Sequence, residues 1–332
     1  EVTQASSHVE RVLNTETLEV ITGRSNPELA RSVSDALGVS LDDEVINLFS
    51  DGELKVKIHP NLRRKEVYII QSTSFPQDTN LMELMTMASA AKLASAEKVT
   101  AVMPYYGWGR QDRKDEPRVP ITASLVARQL VSAGVDRIFT LDLHSEQVMG
   151  SIDKPWDNLY ASRVLLPEIR SLGLEGAVVA SADVGGAKKA EKFSLLLDGT
   201  GDIAIVYKRR SGRDVRAKAV IGDVEGRDVI VVDDMIDTAG TLTTGVQLLK
   251  ESGARRIIVA ATHGVFSGPA LERIDQAPID QVIITDTIRQ PEAVRNHPRI
   301  KIISVADLIA RGIKGIHTGE SLSELIPMPG SK

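Results

Sequence analysis

The chain has 332 residues, 42% hydrophobic and 26% charged, with a formal net charge of -5. That length suits two domains of about 150 residues each, and no apolar run approaches the roughly 18 residues that a membrane span needs. The negative balance lacks the concentrated positive charge of a nonspecific nucleic-acid binder, and a chain with no cysteine has no disulfide, thiolate metal site or cysteine nucleophile, as suits a cytoplasmic protein.

The first residues, E-V-T-Q-A-S-S-H-V-E, have no initiator Met, basic flank or apolar signal core. They read as a processed or truncated end, and 1–16 is expected to be a disordered extension outside the fold. From there, apolar runs that suit strands alternate with helical patterns, the runs falling at 18–21, 67–71, 99–103, 138–141, 177–180, 204–207, 229–232, 257–260 and 282–285. Such alternation predicts an α/β fold of mainly parallel sheets flanked by crossover helices. A faint internal repeat points to two similar domains side by side: V-Y-I-I-Q-S from Val67 is like V-I-V-V-D-D from Val229, and the run near Ser95 is like the run near Ser252. We expect them at 17–160 and 161–318, with a tail at 319–332. No linker of biased composition separates them, which predicts a close interface.

Taken in chain order, the first chemical motif is F-S-D-G-E from Phe49, which by itself is best read as an Asp-Gly turn between strands. The stretch M-P-Y-Y-G-W-G-R-Q-D-R-K-D-E-P-R from Met103 is too polar, glycine-rich and aromatic for core. It reads as a shaped loop that can serve as a nucleotide platform, with arginine to pair with phosphate or stack on a base. L-D-L-H-S-E-Q from Leu141 sets Asp142 and His144 beyond a strand end. A lone histidine there is either a metal ligand or a hydrogen-bonded loop residue, and the second is the commoner case.

A-S-A-D-V-G-G-A-K-K from Ala180 repeats the pattern of strand, acid and glycine pair, where backbone can approach an anion or a hydrated cation; as a common turn it is modest evidence. Y-K-R-R-S-G-R from Tyr207 reads as a basic finger or as an exposed basic hairpin. The most informative stretch is V-I-V-V-D-D-M-I-D-T-A-G-T-L-T-T-G from Val229. Four β-branched residues predict a strand buried on both faces of a parallel sheet, and ligands of such sheets bind beyond the strands' carboxyl ends. Asp233, Asp234 and Asp237 can there accept from sugar hydroxyls or hold a hard cation. Thr238, Ala239, Gly240 and Thr241 then present backbone N–H groups to an anion at the start of a helix expected over 241–252. Together these are parts for moving phosphate groups.

The set closely resembles the ribose-phosphate diphosphokinase (phosphoribosyl pyrophosphate synthetase) family over about 18–325. The resemblance rests on F-S-D-G-E, G-R-Q-D-R-K, D-L-H, D-N-L-Y-A, S-A-D-V-G-G, Y-K-R-R and V-D-D-M-I-D-T-A-G-T. It implies two phosphoribosyltransferase-like domains and transfer of the β,γ-diphosphoryl group of ATP to the C1 hydroxyl of ribose 5-phosphate, giving phosphoribosyl diphosphate and AMP with magnesium required. By position, Asp233, Asp234, Asp237, Thr238, Ala239, Gly240 and Thr241 are implied to hold ribose 5-phosphate. Arg110, Gln111 and Asp115 would bind ATP, with Phe49, Asp51 and Glu53 arriving from a neighbouring subunit. His144 and Asp183 would hold magnesium or its waters, reversing the bland reading of the histidine. Lys208 and Arg210 would lie on a flexible catalytic loop.

The resemblance further implies a homo-oligomer, usually a hexamer built from dimers, with phosphate as activator and ADP as inhibitor at an interface site that Arg63, Arg118, Ser321 and Ser323 match. After Gln147 the family commonly has two aromatics following the glycine, whereas this chain has Ser151 and Ile152, and Glu146 replaces a residue that is often small. Those departures put the regulation in question and leave the catalytic motifs intact. A phosphoribosyltransferase would share the acidic cradle but has no need of the platform or the D-L-H histidine. A silent regulatory subunit should have lost or interrupted the basic finger, which is whole here.

Overall fold

The computed structural model describes residues 12–326 except 175, 212 and 213, and only the backbone over 208–218. The first part of the expected extension and the last six residues of the expected tail lie outside the described residues. Thr15–Thr17 already forms a short 3-10 turn, in which Asn14 Oδ1 accepts from the Glu16 amide at 3.1 Å.

The first half contains β1 (Leu18–Thr22), α1 (Pro27–Leu37), β2 (Leu41–Asp42), β3 (Ile46–Leu48), β4 (Leu54–Val56), β5 (Glu66–Ile70), α2 (Gln77–Leu93), β6 (Lys98–Met103), α3 (Thr122–Ser132), β7 (Arg137–Leu141) and β8 (Trp156–Leu159). The second contains α4 (Ser162–Ser171), β9 (Val178–Ser181), α5 (Ala187–Leu197), β10 (Ile203–Ser211), β11 (Asp214–Ile221), β12 (Val229–Ile236), α6 (Gly240–Glu251), β13 (Ile257–Gly264), α7 (Ala270–Gln276), β14 (Gln281–Thr285), α8 (Glu292–Arg295), β15 (Ile300–Ile303) and α9 (Ala306–Thr318). A six-stranded parallel sheet runs β2-β1-β5-β6-β7-β8, and a seven-stranded sheet runs β11-β10-β9-β12-β13-β14-β15 with only the β10–β11 pair antiparallel. Hairpin β3–β4 stands apart from both.

All nine expected strand runs form strands. The reason is visible in β12, whose side chains alternate between two cores: Val229 and Val231 pack under α6 and α7, while Ile230 and Val232 face a core shared by both sheets. Burying each such side chain stabilises by about 1.5–3 kcal/mol. The shared core takes one face of each sheet together with α1, α4, α5 and α9, and a third core under α2 and α3 covers the other face of the first sheet. The close interface expected from the missing linker is therefore a continuous apolar layer.

The last helix crosses back. A Cβ added at Gly312 of α9 would stand 2.5 Å from Phe139 on β7, so this helix packs directly on the first sheet. His317, near its end, bonds Thr17 just ahead of β1 and Glu66 of β5.

In each sheet the strand order reverses once, between β1 and β5 in the first and between β9 and β12 in the second. Ligands of open α/β sheets bind at such reversals. The first crevice is filled by its own side chains: buried Glu83 takes the Arg24 Nε at 2.7 Å and the Gln71 Nε2 at 2.9 Å, and Gln71 Oε1 takes the Ser25 hydroxyl at 2.7 Å. Gln71 lies where the repeat has Asp233. The second crevice keeps its acids.

Candidate active site

β12 runs four residues beyond the expected end at Val232, because β13 continues beside it: Asp233 pairs with Ala261, Met235 with His263 and Ile236 with Gly264. Asp233 and Asp234 therefore lie on the strand itself, and only Asp237 lies past its end. Pleating sends successive side chains to opposite faces. Asp234 is buried, while the Asp233 side chain keeps 41% of its exposure.

Two groups from different elements hold Asp234. His144 Nδ1 meets its Oδ2 at 2.8 Å, and Lys189 Nζ of α5 meets its Oδ1 at 2.7 Å while standing 4.0 Å from Asp233. Burial works against the Asp234 charge, but the hydrogen bond from His144 and the Lys189 charge outweigh it and hold this carboxyl well below the usual range. Asp233 moves the other way although its side chain is part-exposed, pushed up by the desolvation of the cleft wall and by its hydrogen bond to and the charge of Asp234. One carboxylate is thus fixed in its charged form, and the other gains from an added cation.

The platform loop joins the same cleft. Arg110 Nη1 lies 2.8 Å from Asp237 Oδ2. The loop is strapped to the end of β5, since Thr73 Oγ1 accepts from the Gly107 amide at 2.7 Å, and a Cβ at Gly107 would meet the Thr73 carbonyl oxygen at 2.3 Å. Only glycine fits that approach. After Asp237 the chain turns through Ala239 in the left-handed region and enters α6 at Gly240. The first N–H groups of a helix have no intrahelical acceptor, so this turn offers amides and a favourable dipole to an anion.

Residues 18–134 match the family described as the N-terminal domain of ribose phosphate pyrophosphokinase, and residues 209–327 match the phosphoribosyl synthetase-associated domain. A protein of Chlorobaculum tepidum named ribose-phosphate pyrophosphokinase is 47% identical over 313 residues, covering 93% of this chain and 94% of that one. One of the same name from Chromobacterium violaceum is 46% identical over 312 residues, covering 93% and 95%. The chain belongs to the ribose-phosphate pyrophosphokinase family. The crystal structure of phosphoribosylpyrophosphate synthetase from Mycobacterium smegmatis shares the fold, with a TM-score of 0.85 at 37% identity over 91% of this chain and 99% of that one.

The remaining expected residues fall into five groups. Gln111 and Asp115 are exposed on the platform loop, where Gln111 Oε1 accepts from Thr122 at 2.6 Å. Asp183 follows β9 in the same crevice and takes the Gly186 amide at 3.1 Å. Lys208 and Arg210 lie on β10, in an antiparallel hairpin opposite Lys218 and Val215, and their side chains lie outside the described residues. Phe49, Asp51 and Glu53 form the tip of hairpin β3–β4, closed by the Phe49 amide to the Glu53 carbonyl at 2.8 Å with Gly52 at positive φ, which is the Asp-Gly turn that the residues alone predicted. Ser321 and Ser323 share a 2.7 Å hydroxyl contact, and Arg63 and Arg118 are exposed on separate loops.

Among the described residues no group of three or more His, Asp or Glu side chains is gathered tightly enough to hold a metal ion alone. The part-exposed Asp233 carboxylate, its pKa raised, is an oxygen donor of the kind that suits a hard cation; magnesium commonly takes one or two carboxylates and completes its shell with substrate phosphates and water. His144 also has one ring nitrogen on a carboxylate, as a histidine that holds a metal or its waters commonly does. No helix among the described residues is long and apolar enough to cross a membrane.

Three residues of the site were not singled out from sequence: Lys189, His263 and Arg273. His263 is buried on β13, with Nε2 3.2 Å from the Leu141 carbonyl of the first sheet and Nδ1 2.9 Å from Thr287, and burial lowers its pKa. Burial disfavours its charged form, and its two ring nitrogens latch the two sheets. Asp142 does the same from the other side, accepting from Thr262 at 2.6 Å and from the Ala161 amide at 2.8 Å.

Proposed function

We propose that the cleft between the two sheets is where this diphosphotransferase moves the β,γ-diphosphoryl group of ATP to ribose 5-phosphate, giving phosphoribosyl diphosphate and AMP. The observation that carries the reading is convergence: His144 and Arg110 of the first sheet's loops each pair with an acid of the second sheet's cradle. A cleft closed from both sides can hold a nucleotide against a sugar phosphate.

In this reading Asp233, Asp234 and Asp237 take the ribose hydroxyls, while Thr238, Ala239, Gly240 and Thr241 hold the 5-phosphate on their amides. Arg110, Gln111 and Asp115 hold ATP. Phe49, Asp51 and Glu53 complete its pocket from a neighbouring copy of the chain. Exposed Leu48 and Phe49 at the hairpin tip suit such a contact. His144 and Asp183 hold magnesium directly or through water, and the ion when bound offsets the charge of the diphosphate. The C1 oxygen attacks the β-phosphorus in line as its hydroxyl proton passes to solvent, the bond from that phosphorus to the oxygen bridging it to the α-phosphorus breaks, and AMP leaves with the electron pair. Lys208 and Arg210 stabilise the charge that develops. Positioning supplies most of the acceleration, with no covalent intermediate on the protein.

We further propose a cytoplasmic homo-oligomer, with Arg63, Arg118, Ser321 and Ser323 at an interface site for phosphate and ADP. Phosphorus NMR of the purified chain with ATP, magnesium and ribose 5-phosphate, with and without inorganic phosphate, tests the reading. AMP and phosphoribosyl diphosphate in equal amounts are expected. Release of γ-phosphate alone, or no turnover by folded protein in either condition, would refute it.

A further inference from the structure

The turn into α6 carries an unusual strain. Ala239 sits at φ 59° and ψ 7°, a region that its Cβ disfavours. Arg273 of α7 lies against the back of this turn. Its Nη1 donates to the Thr238 carbonyl oxygen at 2.9 Å and occupies the space left by the missing Gly240 side chain, 3.1 Å from where a Cβ would stand. Thr243 Oγ1 fixes the next carbonyl, that of Ala239, at 2.9 Å.

From this geometry we infer that Arg273 is a positioning residue for the sugar-phosphate loop, an inference that rests on reading 238–241 as the 5-phosphate cradle. The C=O and N–H of a trans peptide point in opposite directions. By holding the Thr238 carbonyl on the α7 side, Arg273 turns the Ala239 N–H to the other side, toward an incoming anion. Asp237, one residue earlier, turns instead to Arg110 of the first sheet. Without the guanidinium, rotation of the 238–239 peptide relieves Ala239 of its left-handed conformation and points the amide away. Arg273 therefore acts on phosphate through the backbone, from the α7 side of the turn, and Gly240 is small so that it can.

Titration calorimetry with ribose 5-phosphate tests this on the full-length protein. Arg273→Met is expected to weaken binding about tenfold, with ATP affinity and unfolding temperature nearly unchanged. Adding Ala239→Gly to that variant should restore part of the loss, because glycine holds the left-handed turn without help. No binding by the unsubstituted chain would overturn the reading of the loop itself. If the unsubstituted chain binds, then equal affinity in Arg273→Met, or a loss that Ala239→Gly leaves unrepaired, would overturn the role given to Arg273.

Discussion

His144 from the first sheet and Asp234 from the second meet at 2.8 Å, so the two halves of the chain are joined by a charged hydrogen bond inside the cleft. The bond to Asp234 raises the His144 pKa, outweighing the burial that lowers it. A group whose folded pKa is raised adds stability that is full below its unfolded value, here 6.5, and that is lost as pH rises through the folded value. His144→Asn should therefore lower the unfolding temperature clearly at about pH 6 and hardly at all at about pH 9. Thermal melts of both proteins across that range check it. A difference that stays constant with pH would mean that the pair contributes nothing through charge.

Asp234→Asn tests the cradle. An asparagine oxygen can serve His144 or Lys189 but not both, and its amide nitrogen presents hydrogens to the remaining cation. Binding of ribose 5-phosphate with magnesium should weaken about tenfold or more. Affinity equal to that of the unsubstituted chain in calorimetry would mean that the acids serve the fold alone.

Lys208→Ala separates binding from turnover. If Lys208 acts on charge that develops only in the transition state, kcat should fall about 100-fold or more, while the affinity for ribose 5-phosphate stays the same. Steady-state kinetics beside direct titration give both numbers. Comparable kcat in the variant would remove Lys208 from the mechanism.

The parts of the fold that sequence revealed are those whose burial is set locally. The run Val229–Val232 announces itself because both of its faces are covered. The strands not foreseen are short, polar or at sheet edges: β2 has two residues, β8 reads W-D-N-L, and β11 and β15 end the second sheet. The acids, the small-residue turn and the start of α6 were legible because they follow one another along the chain. Lys189, His263 and Arg273 were not, because each acts on a residue at least 35 positions away, and no local spacing signals such a meeting. The return of α9 to the first sheet is hidden for the same reason.

That return is itself testable at one atom. A Cβ at Gly312 would stand 2.5 Å from Phe139 Cζ, 2.8 Å from Phe139 Cε1 and 3.3 Å from Leu159 Cδ1, and Phe139 is 1% exposed and cannot swing away. Overpacking of this kind costs about 1–3 kcal/mol, while replacing a mid-helix glycine by alanine returns up to about 1 kcal/mol of helix propensity. Gly312→Ala should be destabilising by about 1 kcal/mol, and Gly312→Val, with two more methyl groups and a stiffer side chain, by about 3 kcal/mol. Gly150 is the control: nothing lies within 4 Å of a Cβ added there, so Gly150→Ala should stay within about 0.5 kcal/mol of the unsubstituted chain. Urea midpoints at a common slope measure all three. If Gly312→Ala behaves like Gly150→Ala, α9 does not hold the second half of the chain against the first sheet, and the cleft that depends on that packing would have to be drawn differently.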